Sequence, residues 1–330
     1  MPVTTAEKIR VIVVDDSAFM RKAISKMLES DPQIEVVATA RDGEEGVSKV
    51  LALKPDLVTM DIEMPRMDGL TALKKIMAEH PTPVMMVSSI TTEGAQATLD
   101  ALEYGAVDFI PKGMSYVSLD VIKIQDELVA KIKNIVRRKA LLMSRFRFRR
   151  ISETAPRKRP TSSSSTAIAK RHHSIGIIAI GSSTGGPPAL QEVIPRLPRN
   201  LPVGVIIAQH MPPKFTRMLA DRLDELSVLP VREAENGELL EPGTVLISPG
   251  GKHITVRRSG SGARVQISDH PTETLYKPCV DVTMTSVAEA YKQAAMGVIL
   301  TGMGNNGVIG IEKMKKAGGV VIAQNEESCV

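Results

Sequence analysis

Ile175-Gly176-Ile177-Ile178-Ala179-Ile180 runs directly into Gly181-Ser182-Ser183-Thr184-Gly185-Gly186-Pro187. A short apolar run of this kind reads as a buried strand, and the glycines after it let the backbone turn sharply. Pro187 suits the first turn of a helix, where a missing N–H is tolerated. Strand, tight turn and helix are the unit of an α/β sheet. The turn leaves a serine hydroxyl at the strand's carboxyl end, beside free helix N–H groups. Gly181-Ser182-Ser183-Thr184-Gly185 also fits the G-x-S-x-G pattern, with Ser183 as the candidate nucleophile. Taken alone, the same turn suits a phosphate cradle or a purely structural bend.

Downstream of that turn, apolar runs recur at Val203–Gln209, Val228–Glu233, Thr244–Ser248, Ile254–Arg257, Val265–Ile267, Gly297–Leu300 and Val320–Gln324. With Ile175–Ile180 they predict a second α/β domain from residue 174 to 330. Its sheet is expected to be mixed, because the strands between Val228 and Ile267 are too closely spaced for helical crossovers. Polar clusters close two of these strands: Gln209-His210-Met211-Pro212-Pro213 and Leu300-Thr301-Gly302-Met303-Gly304-Asn305-Asn306-Gly307. Strand ends converge in such sheets, so His210 can lie close enough to Ser183 to take its proton. His210 alone also reads as a satisfied surface histidine. His172, His173, His253 and His270 have no comparable setting. The chain stops at Val330, soon after the last predicted strand, and that end reads as truncated.

Upstream, strands are predicted at Ile9–Val14, Ile34–Ala40, Leu57–Met60, Val84–Val87 and Val107–Ile110, with amphipathic segments between them such as Ser17–Glu29, capped by Ser17. Five β/α alternations predict a parallel, doubly wound sheet. Asp15 and Asp16 end its first strand, Asp61 its third, Ser88 its fourth, and Lys112 follows its fifth. Three carboxylates meeting in one crevice repel one another unless a cation sits among them, and an all-oxygen ligand set suits Mg²⁺. An aspartate beside Mg²⁺, with a lysine to neutralise the oxyanion, can accept a phosphoryl group.

The net charge of +5 is unevenly spread. Lys131 to His173 carries 14 Lys/Arg against one acid, Glu153, so the rest of the chain is acidic. This segment holds Arg145-Phe146-Arg147-Phe148-Arg149-Arg150, Pro156-Arg157-Lys158-Arg159-Pro160 and four consecutive serines from Ser162. It reads as a connector, not as a nucleic-acid-binding face. Two cysteines, Cys279 and Cys329, exclude a disulfide framework. The apolar run Val11–Val14 is too short for a signal peptide or a membrane span. The expected location is the cytoplasm, with no nucleic acid bound and no membrane insertion.

Val13-Val14-Asp15-Asp16-Ser17, Met60-Asp61-Ile62-Glu63-Met64-Pro65-Arg66-Met67-Asp68-Gly69 and Phe109-Ile110-Pro111-Lys112 closely resemble response-regulator receiver domains. The resemblance covers residues 1–125. It implies phosphorylation of Asp61 by a histidine kinase, Mg²⁺ held at Asp15, Asp16 and Asp61, and switch roles for Ser88, Phe109 and Lys112. Lys112-Gly113 stands where the family has Lys-Pro.

Beyond a connector at 126–173, residues 174–330 resemble the chemotaxis protein-glutamate methylesterase family. The matching segments are Gly181 to Pro187, Gln209-His210-Met211-Pro212-Pro213-Lys214-Phe215-Thr216, Pro278-Cys279-Val280-Asp281 and Gly297 to Gly304. The resemblance implies two doubly wound α/β domains, a parallel (βα)5 receiver and a Rossmann-like, mixed-sheet catalytic domain. It implies hydrolysis of glutamate γ-methyl esters, and deamidation of certain glutamines, on chemoreceptor cytoplasmic helices, with no cofactor for the ester chemistry. Ser183 would be the nucleophile and His210 the base, with Thr184 and Met303 lining the oxyanion region. The unphosphorylated receiver would cover the Ser183 cleft, and phospho-Asp61 would loosen it.

One position departs from the family. Asn306 stands where the triad carries an aspartate that accepts the histidine's Nδ1–H. An amide supplies no charge for the imidazolium and can favour the wrong tautomer; in a serine protease the equivalent change costs about 10⁴-fold in kcat. A correctly assembled but impaired esterase is therefore expected, with Asp281 as the backup acid. Asn306 also supports another reading, a weakly catalytic receiver protein that docks kinase or receptors and competes for phosphoryl groups. A DNA-binding regulator would need a recognition helix, and the sequence shows none.

Overall fold

Alternation of β-branched runs with amphipathic segments gives five β/α units at the start of the chain. The strands are β1 (Ile9–Val14), β2 (Ile34–Ala40), β3 (Leu57–Asp61), β4 (Val84–Ser88) and β5 (Asp108–Pro111). The helices are α1 (Ala18–Glu29), α2 (Gly43–Leu53), α3 (Gly69–Glu79), α4 (Thr92–Glu103) and α5 (Asp120–Arg137). The computed structural model describes residues 7–112, 120–138, 174–260 and 262–329. The first sheet is parallel throughout in the order β2-β1-β3-β4-β5. β3 and β4 are buried at every residue, as helices on both faces require. Side chains of Ser17, Asp42, Asp68 and Thr91 accept N–H bonds from the first turns of α1 to α4. The strand order reverses between β1 and β3, which opens a crevice at the carboxyl ends of those strands.

α5 packs Leu128, Ile132 and Ile135 against this sheet and continues past residue 126, where the connector was expected to begin. Gly113, the basic runs from Arg145 to Pro160, His172 and His173 lie outside the described residues.

The second half contributes β6 (Ile177–Ser182), α6 (Gly186–Val193), β7 (Gly204–Gln209), α7 (Phe215–Leu226), β8 (Val231–Glu233), β9 (Val245–Ile247), β10 (His253–Ser259) and β11 (Gly262–Ser268). It ends with α8 (Val280–Tyr291), β12 (Ala295–Ile299), α9 (Val308–Lys316) and β13 (Val320–Ala323). Six strands form one sheet in the order β13-β12-β6-β7-β9-β8, and every pair in it is parallel. This corrects the expected mixed sheet. The antiparallel pairing exists, but β10 and β11 form a separate two-stranded sheet. β8 reaches β9 through a loop instead of a helix, and that loop is held by Gly237 N–H to Val265 O and Leu240 N–H to Ala263 O. Close strand spacing was compatible with a parallel crossover because β11 carries the crossing chain.

The two halves share one apolar cluster. At its centre Phe109 of β5 stacks on Phe215 of α7, with ring centroids 4.7 Å apart and planes 11° from parallel. Such a pair adds about 0.5–1.5 kcal/mol beyond its buried area. Arg222 pairs with Glu103, and Lys214 Nζ donates to Ile90 O at 3.3 Å. Among the described residues, no helix is long and apolar enough to cross a membrane.

Candidate active site

β6 and β7 are adjacent in the sheet, so Ser182 and Gln209 meet at its carboxyl edge. Ser182 Oγ donates to Gln209 Oε1 at 2.6 Å, and Gln209 Nε2 donates to Ser183 O at 3.0 Å and His210 O at 3.1 Å. One amide therefore ties together the chain segments that carry Ser183 and His210. Glycine is required beside it, since a Cβ on Gly186 would collide with Gln209 Oε1. The turn closes through Gly185 at φ 72°, a left-handed conformation that glycine adopts without strain. From the β12 side, Thr301 O accepts Ser183 N–H at 3.0 Å, and Thr301 Oγ1 donates to Thr184 O at 3.0 Å.

These constraints bring three side chains into line. Ser183 Oγ lies 3.1 Å from His210 Nδ1, and His210 Nε2 lies 3.1 Å from Asn306 Oδ1. The ring thus meets its partners through the opposite nitrogens from those expected. Asn306 Oδ1 also accepts Val280 N–H at 2.7 Å, and its Nδ2 donates to Cys279 Sγ at 3.1 Å. Asp281 does not reach His210: its Oδ1 accepts Gly310 N–H at 2.8 Å, joining the starts of α8 and α9. Tyr276 stacks on the imidazole at 4.6 Å and 15°. Burial pushes the His210 pKa down to about 4; the Asn306 hydrogen bond and the Asp281 charge oppose this, and the Lys131 charge adds to it.

In front of Ser183 is a cavity of about 250 Å³, bordered by Thr184, His210, Tyr276 and Met303. Its opposite wall comes from the amino-terminal half: Asp108, Phe109, Glu127 and Lys131. Asp108 Oδ2 accepts the Thr184 hydroxyl at 2.8 Å and pairs with Lys131 Nζ at 2.9 Å. The residue after the candidate nucleophile is thereby bonded to the residue before Phe109.

In the β1/β3 crevice, carboxylate oxygens of Asp15, Asp16 and Asp61 lie within 4.8 Å of one another. Lys112 Nζ bonds Asp61 and lies 3.2 Å from Asp15 Oδ2. Burial pushes the Asp61 carboxyl up to about 6, against the hydrogen bond from Lys112, and the Asp15 charge adds to the rise. Burial works against the Lys112 charge too, but the two carboxylates outweigh it and hold its pKa above the ordinary value. Asp15 Oδ2 is buried, with the Lys112 ammonium at 3.2 Å as its close partner. Three carboxylates sharing one lysine leave a surplus of negative charge in an all-oxygen set, which fits a hard divalent cation. Ser88 Oγ donates to Gly94 O at 3.0 Å, toward α4, so it does not presently point at Asp61.

The sequence reading did not assign Gln209, Tyr276, Cys279, Asp108 or Lys131 to this site. Gln209 and Cys279 lay inside quoted segments and could have been found there. The other three come together only through tertiary packing.

Comparison with known proteins follows the same division. Residues 178–330 match the family model "CheB methylesterase", and residues 11–121 match "Response regulator receiver domain". The protein-glutamate methylesterase/protein-glutamine glutaminase 1 of Oleidesulfovibrio alaskensis is 51% identical over 98% of this chain and 91% of its own length. Methylesterase/glutaminase 2 of Nitratidesulfovibrio vulgaris is 50% identical over 98% and 91%, and the enzyme of Symbiobacterium thermophilum is 50% identical over 98% and 88%.

Proposed function

The chain belongs to the chemotaxis protein-glutamate methylesterase (CheB) family, and from that premise we propose that it is a phosphorylation-activated hydrolase acting in chemotaxis adaptation. Its substrates are glutamate γ-methyl esters, and specific glutamines, on the cytoplasmic helices of methyl-accepting chemoreceptors. The full-length likeness to named hydrolases favours this reading over a binding module. The receiver, read from the sequence as residues 1–125, extends through α5 to Arg137, and the connector from there to 173 leads to the catalytic domain at 174–330, acting in the cytoplasm.

The observation that carries the mechanism is the Ser183–His210–Asn306 alignment at the carboxyl ends of parallel strands. His210 Nδ1 takes the Ser183 proton as Oγ attacks the ester carbonyl carbon. Donors around Thr184 and Met303 receive the oxyanion. His210 returns the proton to the leaving methoxide, and methanol departs. Water, deprotonated by His210, then attacks the acyl-serine and releases the glutamate γ-carboxylate and Ser183. With a glutamine substrate, ammonia leaves in place of methanol. No cofactor enters the ester chemistry.

Asp15, Asp16 and Asp61 would hold Mg²⁺, which neutralises charge on a transferring phosphoryl group. Lys112 holds the Asp61 carboxylate, the acceptor of a phosphoryl group from a histidine kinase, and Ser88 and Phe109 respond to the modification. Phe109 and Asp108 wall the Ser183 cavity, so their displacement opens it to a receptor helix.

Methanol release from a methylated receptor fragment tests this reading, with and without a small phosphodonor and Mg²⁺. Release should rise with the phosphodonor and vanish in Ser183→Ala. Absence of methanol under both conditions would overturn it.

A further inference from the structure

The amide at position 306 has two chemically different ends, and the surrounding backbone selects between them. Val280 is the first residue of α8, so its N–H lacks an intrahelical partner and can only donate. It lies 2.7 Å from Asn306 Oδ1. Rotating the amide by half a turn would set an NH₂ group against that N–H, donor against donor, and would move the oxygen toward Cys279 Sγ. The observed orientation, with Nδ2 donating to Cys279 Sγ at 3.1 Å, satisfies both ends.

Cys279 is itself fixed. It is buried, and its N–H donates to His253 Nδ1 at 3.1 Å. The other nitrogen of His253 faces Pro271 O at 3.0 Å, so that ring must carry its proton on Nε2. The Cys279 backbone is thus anchored by a buried histidine whose own tautomer is determined.

The consequence reaches Ser183. Asn306 Oδ1, an acceptor, faces His210 Nε2, so Nε2 must hold the proton. Nδ1 is then a bare lone pair 3.1 Å from Ser183 Oγ, the arrangement a general base needs. Stacking on Tyr276 keeps the ring plane in place.

We propose that Asn306 is an orienting residue that imposes the productive tautomer of His210, and that Cys279 and the Val280 N–H are the positioning groups that keep the amide oxygen on the imidazole. This deepens the esterase reading above and rests on it. It also replaces the expectation that an amide here favours the wrong tautomer. What the amide lacks is only the negative charge that would stabilise the imidazolium.

The most direct test is the ¹⁵N spectrum of His210 in the full-length protein, assigned with His210→Gln. Protonated Nε2 with bare Nδ1 is the expected result, and protonated Nδ1 would overturn the proposal. This readout stands whatever the hydrolysis assay returns. In methanol release, Asn306→Ala should lose about 10²-fold in kcat with little change in KM, the share of the ~10⁴-fold triad effect that remains for tautomer control once the charge is set aside. Cys279→Ala should lower kcat severalfold and shift the His210 tautomer ratio, and Cys279→Ser, which keeps an acceptor, should restore both. If Asn306→Asp is active while the natural chain only equals Asn306→Ala, the inference fails and the esterase reading survives. If all of these variants are inactive, that reading fails instead.

Discussion

Two crevices of this protein lie at the same place in related folds, the carboxyl ends of a parallel sheet, and burial acts on them in opposite ways. In the β1/β3 crevice, three carboxylates face one lysine, and Asp61 is pushed up to about 6. In the β6/β7 crevice, a histidine faces a hydroxyl and an amide, and is pushed down to about 4. Burial disfavours charge in each. The first crevice compensates with Lys112 and, in the function proposed above, takes on more charge still, a cation and a phosphoryl group. In the second, Ser183, His210 and Asn306 are neutral, so the polarity of each toward the next is set by hydrogen-bond direction. The lesson is that one crevice is organised to hold charge and the other to create it only transiently.

The contrast breaks most completely at the nucleophile. Ser183→Ala should remove ester hydrolysis by roughly a millionfold in kcat, as loss of the serine does in other serine hydrolases, while leaving phosphorylation of Asp61 intact. Methanol release alongside phosphoryl uptake reads both. Next in size is the missing charge. Asn306→Asp should raise kcat by about 10²-fold, short of the full 10⁴ of a triad because the tautomer is already held. It should also move the acid limb of kcat/KM upward. The base is active when neutral, so the natural chain should keep activity down toward pH 4, and a carboxylate that stabilises the imidazolium raises that limit.

Much of this was legible in the chain. Asp15-Asp16, Asp61 and Lys112 each follow a short apolar run, and the convergence of strand ends in a doubly wound sheet does the rest. Ser183 and His210 followed by the same reasoning. Asn306 was legible as a departure, but its orientation was not. That depends on Val280 N–H and Cys279 Sγ, which are 26 and 27 residues away. The parallel course of β8 and β9 was hidden for a similar reason. Their loop is held by β11, a contact that local spacing cannot reveal.

The connection between the crevices offers two smaller effects. Asp108→Ala removes a charged acceptor from Thr184 and the partner of Lys131. Basal hydrolysis without a phosphodonor should rise about tenfold, given about 1.5–3 kcal/mol for a charge-assisted bond. In the acidic crevice, Asp61 must be ionised to attack a phosphodonor. Its raised pKa means the neutral form persists up to about 6. In the metal-free protein the Asp61 carboxyl should therefore fall from about nine-tenths ionised at pH 7 to about one-tenth at pH 5, read from its ¹³C carboxyl shift.

The central claim is that modification of one crevice controls access to the other. The rate at which a serine-directed phosphonate labels Ser183, mapped by peptide mass spectrometry with and without phosphodonor and Mg²⁺, tests it most directly. Labelling at Ser183 that accelerates at least about tenfold on phosphorylation, and not in Asp61→Asn, is the predicted result. Labelling at the same rate in both conditions, or none at Ser183 in either, would contradict it.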